Sequence, residues 1–130
     1  MNSKQFLTLG GAVLLLVGIL GMIGVIGPTP AQSIFGSTWW FDGPENIAHT
    51  VLGIAGLFAA FVFPKMWQKY LTVLLGVVAV VVGLYSLAMG SMLYGANLEN
   101  PADTILHLVV GAWALYASLV GDKKLGSKKA

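Results

Sequence analysis

The sequence predicts an all-α protein, a bundle of four transmembrane helices made of two tandem, parallel hairpin repeats. Three observations predict it. Four apolar runs, each about as long as a bilayer is thick, divide the chain. Charged residues make up 9% of it, against roughly 25% in a soluble domain, so polar groups cannot cover its surface and lipid must serve as its solvent. All seven lysines fall on one side of the predicted crossings.

The runs extend from about Phe6 to Gly27, Glu45 to Phe63, Tyr70 to Tyr94 and Ala102 to Val120. Each fits the roughly 17–25 residues that a spanning helix needs. Hydrocarbon cannot satisfy backbone polar groups, so the segments must be helices, and their continuous apolar character lacks the alternation of barrel strands. Pro28 and Pro30 stop the first helix and Pro64 the second. Asp42-Gly43-Pro44-Glu45 and Asn100-Pro101-Ala102-Asp103 open the second and fourth as capping boxes, each with a proline in the first turn.

Lys4, Lys65, Lys69, Lys123, Lys124, Lys128 and Lys129 lie on one side, and Asp42, Glu45, Glu99 and Asp103 on the other. The positive-inside rule assigns both termini to the cytoplasm and supports four crossings, since three or five would scatter the lysines. The first run begins like a signal peptide, but it exceeds the usual apolar core of about 7–15 residues, so we expect it to be retained as a helix. Residues 1–130 therefore read as one integral membrane domain. Repeat 1 covers about 5–64 and repeat 2 about 69–121, and 122–130 is a solvated basic tail able to touch anionic lipid.

Duplication is read from two segments 58 residues apart, Glu45–Gly53 and Asp103–Gly111. Each runs acid, three residues, histidine, three residues, glycine, and together they hold both histidines of the chain. The hairpins agree further: Leu7-Thr8-Leu9 leads to Gly18, and Leu71-Thr72-Val73 leads to Gly83. Both copies run in the same sense, which predicts a pseudo-twofold axis along the membrane normal.

His49 and His107 sit about 6 Å deeper than the acids four residues earlier. Glu45, His49 and Gly53 share one helix face, extended by Gly56; Asp103, His107 and Gly111 share another, extended by Ala114. Small residues permit close helix contact, so the histidines are expected to point inward. Three readings stay open. The histidines are structural, bonding a carbonyl, an acid or a facing helix. Or they are axial ligands, to one haem b held between them or to separate chlorophyll-type pigments, with Gly53 and Gly111 giving the macrocycle room. Or acid and histidine relay protons, against which stands the lack of any acid, histidine or lysine in the inner halves of the helices.

The first outer loop, Pro28 to Pro44, contains Ile34, Phe35, Trp39, Trp40 and Phe41. It reads as a loop with a short helix on the membrane surface, or as a lid or partner contact. Gly18, Gly21 and Gly24, among the six glycines of the first run, mark close packing, part of it available to a partner chain or second copy. The chain has no cysteine, so disulfides, thiolate metal sites and cysteine nucleophiles are excluded. No phosphate-binding glycine loop, intramembrane aspartate pair or serine–histidine spacing appears, and two histidines with two acids make a poor metal site because the acids serve as caps.

Ile34-Phe35-Gly36, followed by Asn46-Ile47-Ala48-His49-Thr50-Val51-Leu52-Gly53-Ile54-Ala55-Gly56-Leu57, resembles a family of small, uncharacterised four-helix bacterial membrane proteins. In that family an FG-containing outer loop leads to an asparagine-x-x-histidine helix start and a glycine-rich run. Asp103-Thr104-Ile105-Leu106-His107-Leu108 looks like the same pattern with threonine for asparagine. The resemblance implies the fold and a bacterial inner membrane; it implies no activity. The expected function is non-enzymatic, as an accessory or structural subunit of a larger membrane complex or a homo-oligomer. The alternatives are a haem- or chlorophyll-binding subunit in electron transfer or photosynthesis, using His49 and His107, and a small transporter or channel. Nucleic acid is not an expected partner.

Overall fold

A computed structural model describes residues 1–90, 92–93, 96–97 and 101–129. The chain is all-helical in character. Its helices are α1 (Ser3–Met22), α2 (Gly43–Val62), α3 (Lys65–Met89), α4 (Ala102–Tyr116) and α5 (Asp122–Lys129). A π-helical turn, Ala117–Gly121, carries α4 directly into α5. Two three-residue 3-10 turns lie in the first loop, and Met92–Leu93 pairs with Ala96–Asn97 as a minimal antiparallel ladder. The four long helical rods, counting Ala102–Ser127 as one, are long and apolar enough to cross a membrane by length and composition.

The helix ends differ from the sequence expectation for local reasons. α1 stops at Met22, five residues short of Gly27, because Gly24 takes the left-handed conformation with φ +88°. The Val25 amide then donates back to the Leu20 carbonyl at 3.0 Å, closing a Schellman cap. α3 starts at Lys65, directly after Pro64, so its first turn is the lysine-bearing stretch expected to be a loop. Residues 122–129 are helical, not a free tail. Asp122 accepts from the Ser3 amide (2.8 Å) and the Ser3 hydroxyl (2.6 Å), tying the end of the chain to its beginning.

α1 packs on α2 and α3 on α4, so the molecule is a pair of hairpins. Glycine sets each contact. Gly11 and Gly53 face one another across the first hairpin, and a Cβ on Gly53 would lie 2.8 Å from the Gly11 carbonyl oxygen. Gly76 and Gly111 do the same across the second, where a Cβ on Gly111 would lie 2.9 Å from the Gly76 oxygen. Gly18 meets Thr50 and the Asn46 carbonyl; Gly83 meets Leu108 and the Thr104 carbonyl. Gly18 and Gly21, expected to be partly available to a partner chain, are thus occupied inside the first hairpin, with Gly21 against the Asn46 amide, and Gly24 belongs to the cap of α1.

The hairpins meet at both ends. At the lysine end, Phe6, Leu7, Ala59, Ala60, Ala114 and Ala117 form the buried apolar core, and the Phe6 and Trp113 rings stand edge to face at 4.6 Å. There the Gln68 amide donates to the carbonyls of Ala59 (3.2 Å) and Ala60 (2.8 Å), capping the end of α2 from α3. At the acid end the Trp39 indole N–H donates to Asp103 Oδ1 (3.0 Å), and the Asn97 amide donates to Asp42 Oδ2 (2.7 Å). Burial is inverted relative to a water-soluble fold. Asn46, Thr72, Ser86, Asp103 and Ser118 are almost fully buried, while Leu16, Ile47, Val51, Phe61, Val81 and Leu87 are more than half exposed.

Candidate functional site: the two-histidine cavity

Between the hairpins lies a cavity of about 320 Å³ that both histidines line. Its walls come from all four long helices. Glu45, His49 and His107 gather its polar groups toward the acid end, and its remainder is apolar, with Phe6 and Trp113 at the lysine end. The lining residues Val13, Leu52, Val78 and Val110 are more than a third exposed, so the cavity opens sideways between the helices.

Each histidine is set by the start of its helix. Asp42 accepts from the Glu45 amide (3.0 Å) while Glu45 Oε2 accepts from the Asp42 amide (3.1 Å), so the capping box fixes the first turn of α2. His49 follows one turn later. Its ring stands edge to face on Phe41 at 4.9 Å, and its buried Nδ1 has no hydrogen-bond partner among the described residues. His107 is held more firmly, with Nδ1 2.7 Å from the Asp103 carbonyl oxygen. A carbonyl only accepts, so Nδ1 carries a proton, which leaves Nε2 as the ring nitrogen free to present a lone pair when the ring is uncharged.

The helix starts are less alike than their sequences. α4 begins with Pro101 at the N-cap, which supplies no side-chain cap, where α2 has the Asp42–Glu45 capping box. The Asp103 carboxylate receives Trp39 from the other hairpin. Asn100, expected as that cap, lies outside the described residues, as does Glu99. Gly53 and Gly111, expected to make room for a cofactor, are spent on α1 and α3 and do not line the cavity; Gly10, Gly11 and Gly56 line it.

The loop of residues 28–42 covers the histidine end. Phe35, Trp39, Phe41 and His49 form an aromatic chain with successive centroids 5.3, 5.0 and 4.9 Å apart. Phe41 is buried, its amide donating to the Ile26 carbonyl at 2.8 Å, and Ser33 Oγ donates to the Trp39 carbonyl at 2.7 Å. Of the loop tryptophans, Trp39 is committed to Asp103 and Trp40 is half-buried. Four further residues shape the site: Phe41, Asn46, Phe6 and Trp113. Asn46 is fully buried, with its amide nitrogen on the Phe41 carbonyl (3.2 Å). A buried asparagine one residue after a capping acid, beside the glycine stripe of α1, was the available signal; the two aromatics carry none in sequence.

The arrangement offers an apolar slot with an imidazole lone pair at one end. Among the described residues no three histidine, aspartate or glutamate side chains converge as a metal set. Comparison of the chain with protein-family models, with curated proteins and with solved structures finds no match.

Proposed function

We propose that the protein is a small, non-enzymatic integral membrane protein of a bacterial inner membrane. In this reading the four long helices span the bilayer, both termini are cytoplasmic and the two hairpins are tandem copies. It works as an accessory or structural subunit of a larger membrane complex, or as a homo-oligomer. One observation carries the reading: the inverted burial, with polar side chains packed inside and stripes of large apolar ones outside on every long helix. An apolar exterior of this extent is the mark of a lipid or partner contact. The matched glycine contacts, Gly11 and Gly18 in one hairpin and Gly76 and Gly83 in the other, support duplication. The internal use of Asp42, Asp103 and Asn46 supports a scaffold role over a catalytic one. Because the chain lacks cysteine, single cysteines at Thr38 and Ser127 give a clean topology test. An impermeant maleimide should label the first only from outside and the second only from inside; equal labelling refutes four crossings. Native mass in mild detergent then reads the partner or copy number, and a monomer without partners refutes the subunit role.

A second reading, a cofactor site between His49 and His107, is favoured by their sharing one cavity. The residues fit a haem b poorly. Its propionates would meet Asp42, Glu45 and Asp103 at the histidine end, while every lysine lies toward the opposite end. The cavity is also at the small end of the roughly 300–1,000 Å³ typical of ligand sites. A Soret or red pigment band in the purified protein, lost in the His49→Ala/His107→Ala variant, would establish this reading; a colourless protein rejects it.

A further inference from the structure

We propose that the lysine end carries a second site, which binds the phosphate group of an anionic ligand. A cavity of about 470 Å³ opens there, and Lys4, Lys65, Lys69 and Lys123 all line it. The lysines come from three segments, α1, the start of α3, and α5, so the fold, not a run of basic sequence, brings them together.

The local field is positive beyond the side chains. The N-termini of α1 and α3 both border the cavity. α3 opens on Pro64 with no side-chain cap and no acid in its first turn, so its leading amide hydrogens and its dipole are uncompensated. The single acid in the lining, Asp122, has both oxygens engaged by Ser3. Gln68, the other large polar group, turns its amide to Ala59 and Ala60. Among the described residues none of the four lysines pairs with a carboxylate.

Lys65, Lys69 and Lys123, with Lys4 whose ammonium lies 5.8 Å over the neighbouring Phe61 ring, bring like charge to one cavity, and an anion relieves that repulsion. A phosphate fits: it presents several acceptor oxygens to lysines acting as point charges, and a helix N-terminus favours it further. The lining also includes Met66 and Tyr70, which are more than half exposed and continue onto the apolar outer face of α3. A headgroup in the cavity would therefore leave its acyl chains on an apolar surface, as in basic pockets between membrane helices. A soluble phosphate is the other source of the same chemistry. The lipid source depends on the membrane reading above; the phosphate site itself does not, because its four lysines stand together in the folded chain.

The test uses the full chain in phosphatidylcholine nanodiscs, with and without phosphatidylglycerol, and native mass spectrometry of the released protein. One retained phosphatidylglycerol per chain is expected, in preference to phosphatidylcholine. Each of Lys65→Gln and Lys69→Gln should lower retention about five-fold, the equivalent of about 1 kcal/mol per lysine. Lys124→Gln, whose ammonium lies over the Tyr116 ring and outside the cavity, should change it by less than two-fold. Inorganic phosphate, titrated into detergent-solubilised protein, separates the sources. Displacement of the lipid assigns the site to phosphates generally, and a lipid that resists assigns it to the headgroup. Equal retention of the two lipids with no phosphate binding overturns the proposal, as does a Lys124→Gln loss equal to that of Lys65→Gln. Helix content by circular dichroism verifies each variant's fold, and maleimide topology reports separately on the spanning reading.

Discussion

Gly53→Ala is the sharpest test of how the hairpins are held. A methyl group there would sit 2.8 Å from both the Gly11 carbonyl oxygen and Leu15 Cα, and closer still to the Leu15 amide nitrogen. Ordinary contact begins near 3.4 Å, so the gap must open by more than half an ångström. The opposing atoms are helix backbone, so no rotamer change relieves them and α1 must move as a body. Overpacking of this kind costs about 1–3 kcal/mol. Alanine returns about 0.5–1 kcal/mol through its helix preference, which leaves a net loss of up to about 2.5 kcal/mol. Gly10→Ala is the matched control. Its methyl group would find only the Phe6 ring, at 3.8–4.0 Å, so the helix preference acts alone and stability should rise by about 0.5–1 kcal/mol. Thermal or dodecyl sulfate unfolding in mild detergent, followed by circular dichroism, reads both. The reasoning fails if Gly53→Ala is as stable as the parent, or if Gly10→Ala loses as much.

Gly111→Ala should repeat the loss in the second hairpin, because its methyl group would lie 2.9 Å from the Gly76 oxygen and 3.0 Å from the Val80 nitrogen; an unchanged unfolding midpoint would contradict this. Ser86 and Thr104 share a buried hydroxyl contact of 2.8 Å across α3 and α4, so a double-mutant cycle with Ser86→Ala and Thr104→Val should return a coupling of about 0.6 kcal/mol and below about 1.7; strict additivity would rule out the bond. Trp39→Phe removes the indole donor to Asp103 and should cost about 1.5–3 kcal/mol, with faster proteolysis of the 28–42 loop; an undisturbed loop would dismiss its role as a strap. Asp122→Ala leaves the buried Ser3 amide and hydroxyl without their acceptor, at about 1–3 kcal/mol, and should speed hydrogen exchange at residues 3–6 while residues 50–60 stay protected.

Hydropathy and punctuation made the helices legible, because long continuous apolar runs and proline stops are both read locally. Boundaries were less so. The end of α1 depends on Gly24 taking positive φ, and five other glycines in the same run could have done it. The start of α3 was obscured because Lys65 and Lys69 read as loop, although lysine is a good helix former. The histidines were legible from their matched spacing, which puts them on corresponding faces. The straps from Trp39 to Asp103 and from Asp122 to Ser3 join residues 64 and 119 positions apart, and no local pattern announces such pairs. Glycine roles were ambiguous for a simpler reason: a stripe facing the next helix and one facing another chain have the same period.

The clasp between Ser3 and Asp122 bears on how the protein can be handled. Gly121 sits directly against the Met1 carbonyl, and the Trp113 indole donates to Met1 Sδ at 3.0 Å, so the Met1 backbone is packed at this seam while half of the residue stays exposed. Reporter fusions or purification handles ahead of Met1 would wedge into that seam. The same cargo inserted near Gly36, where a Cβ would meet nothing within 4 Å, has open space around it and leaves the seam shut.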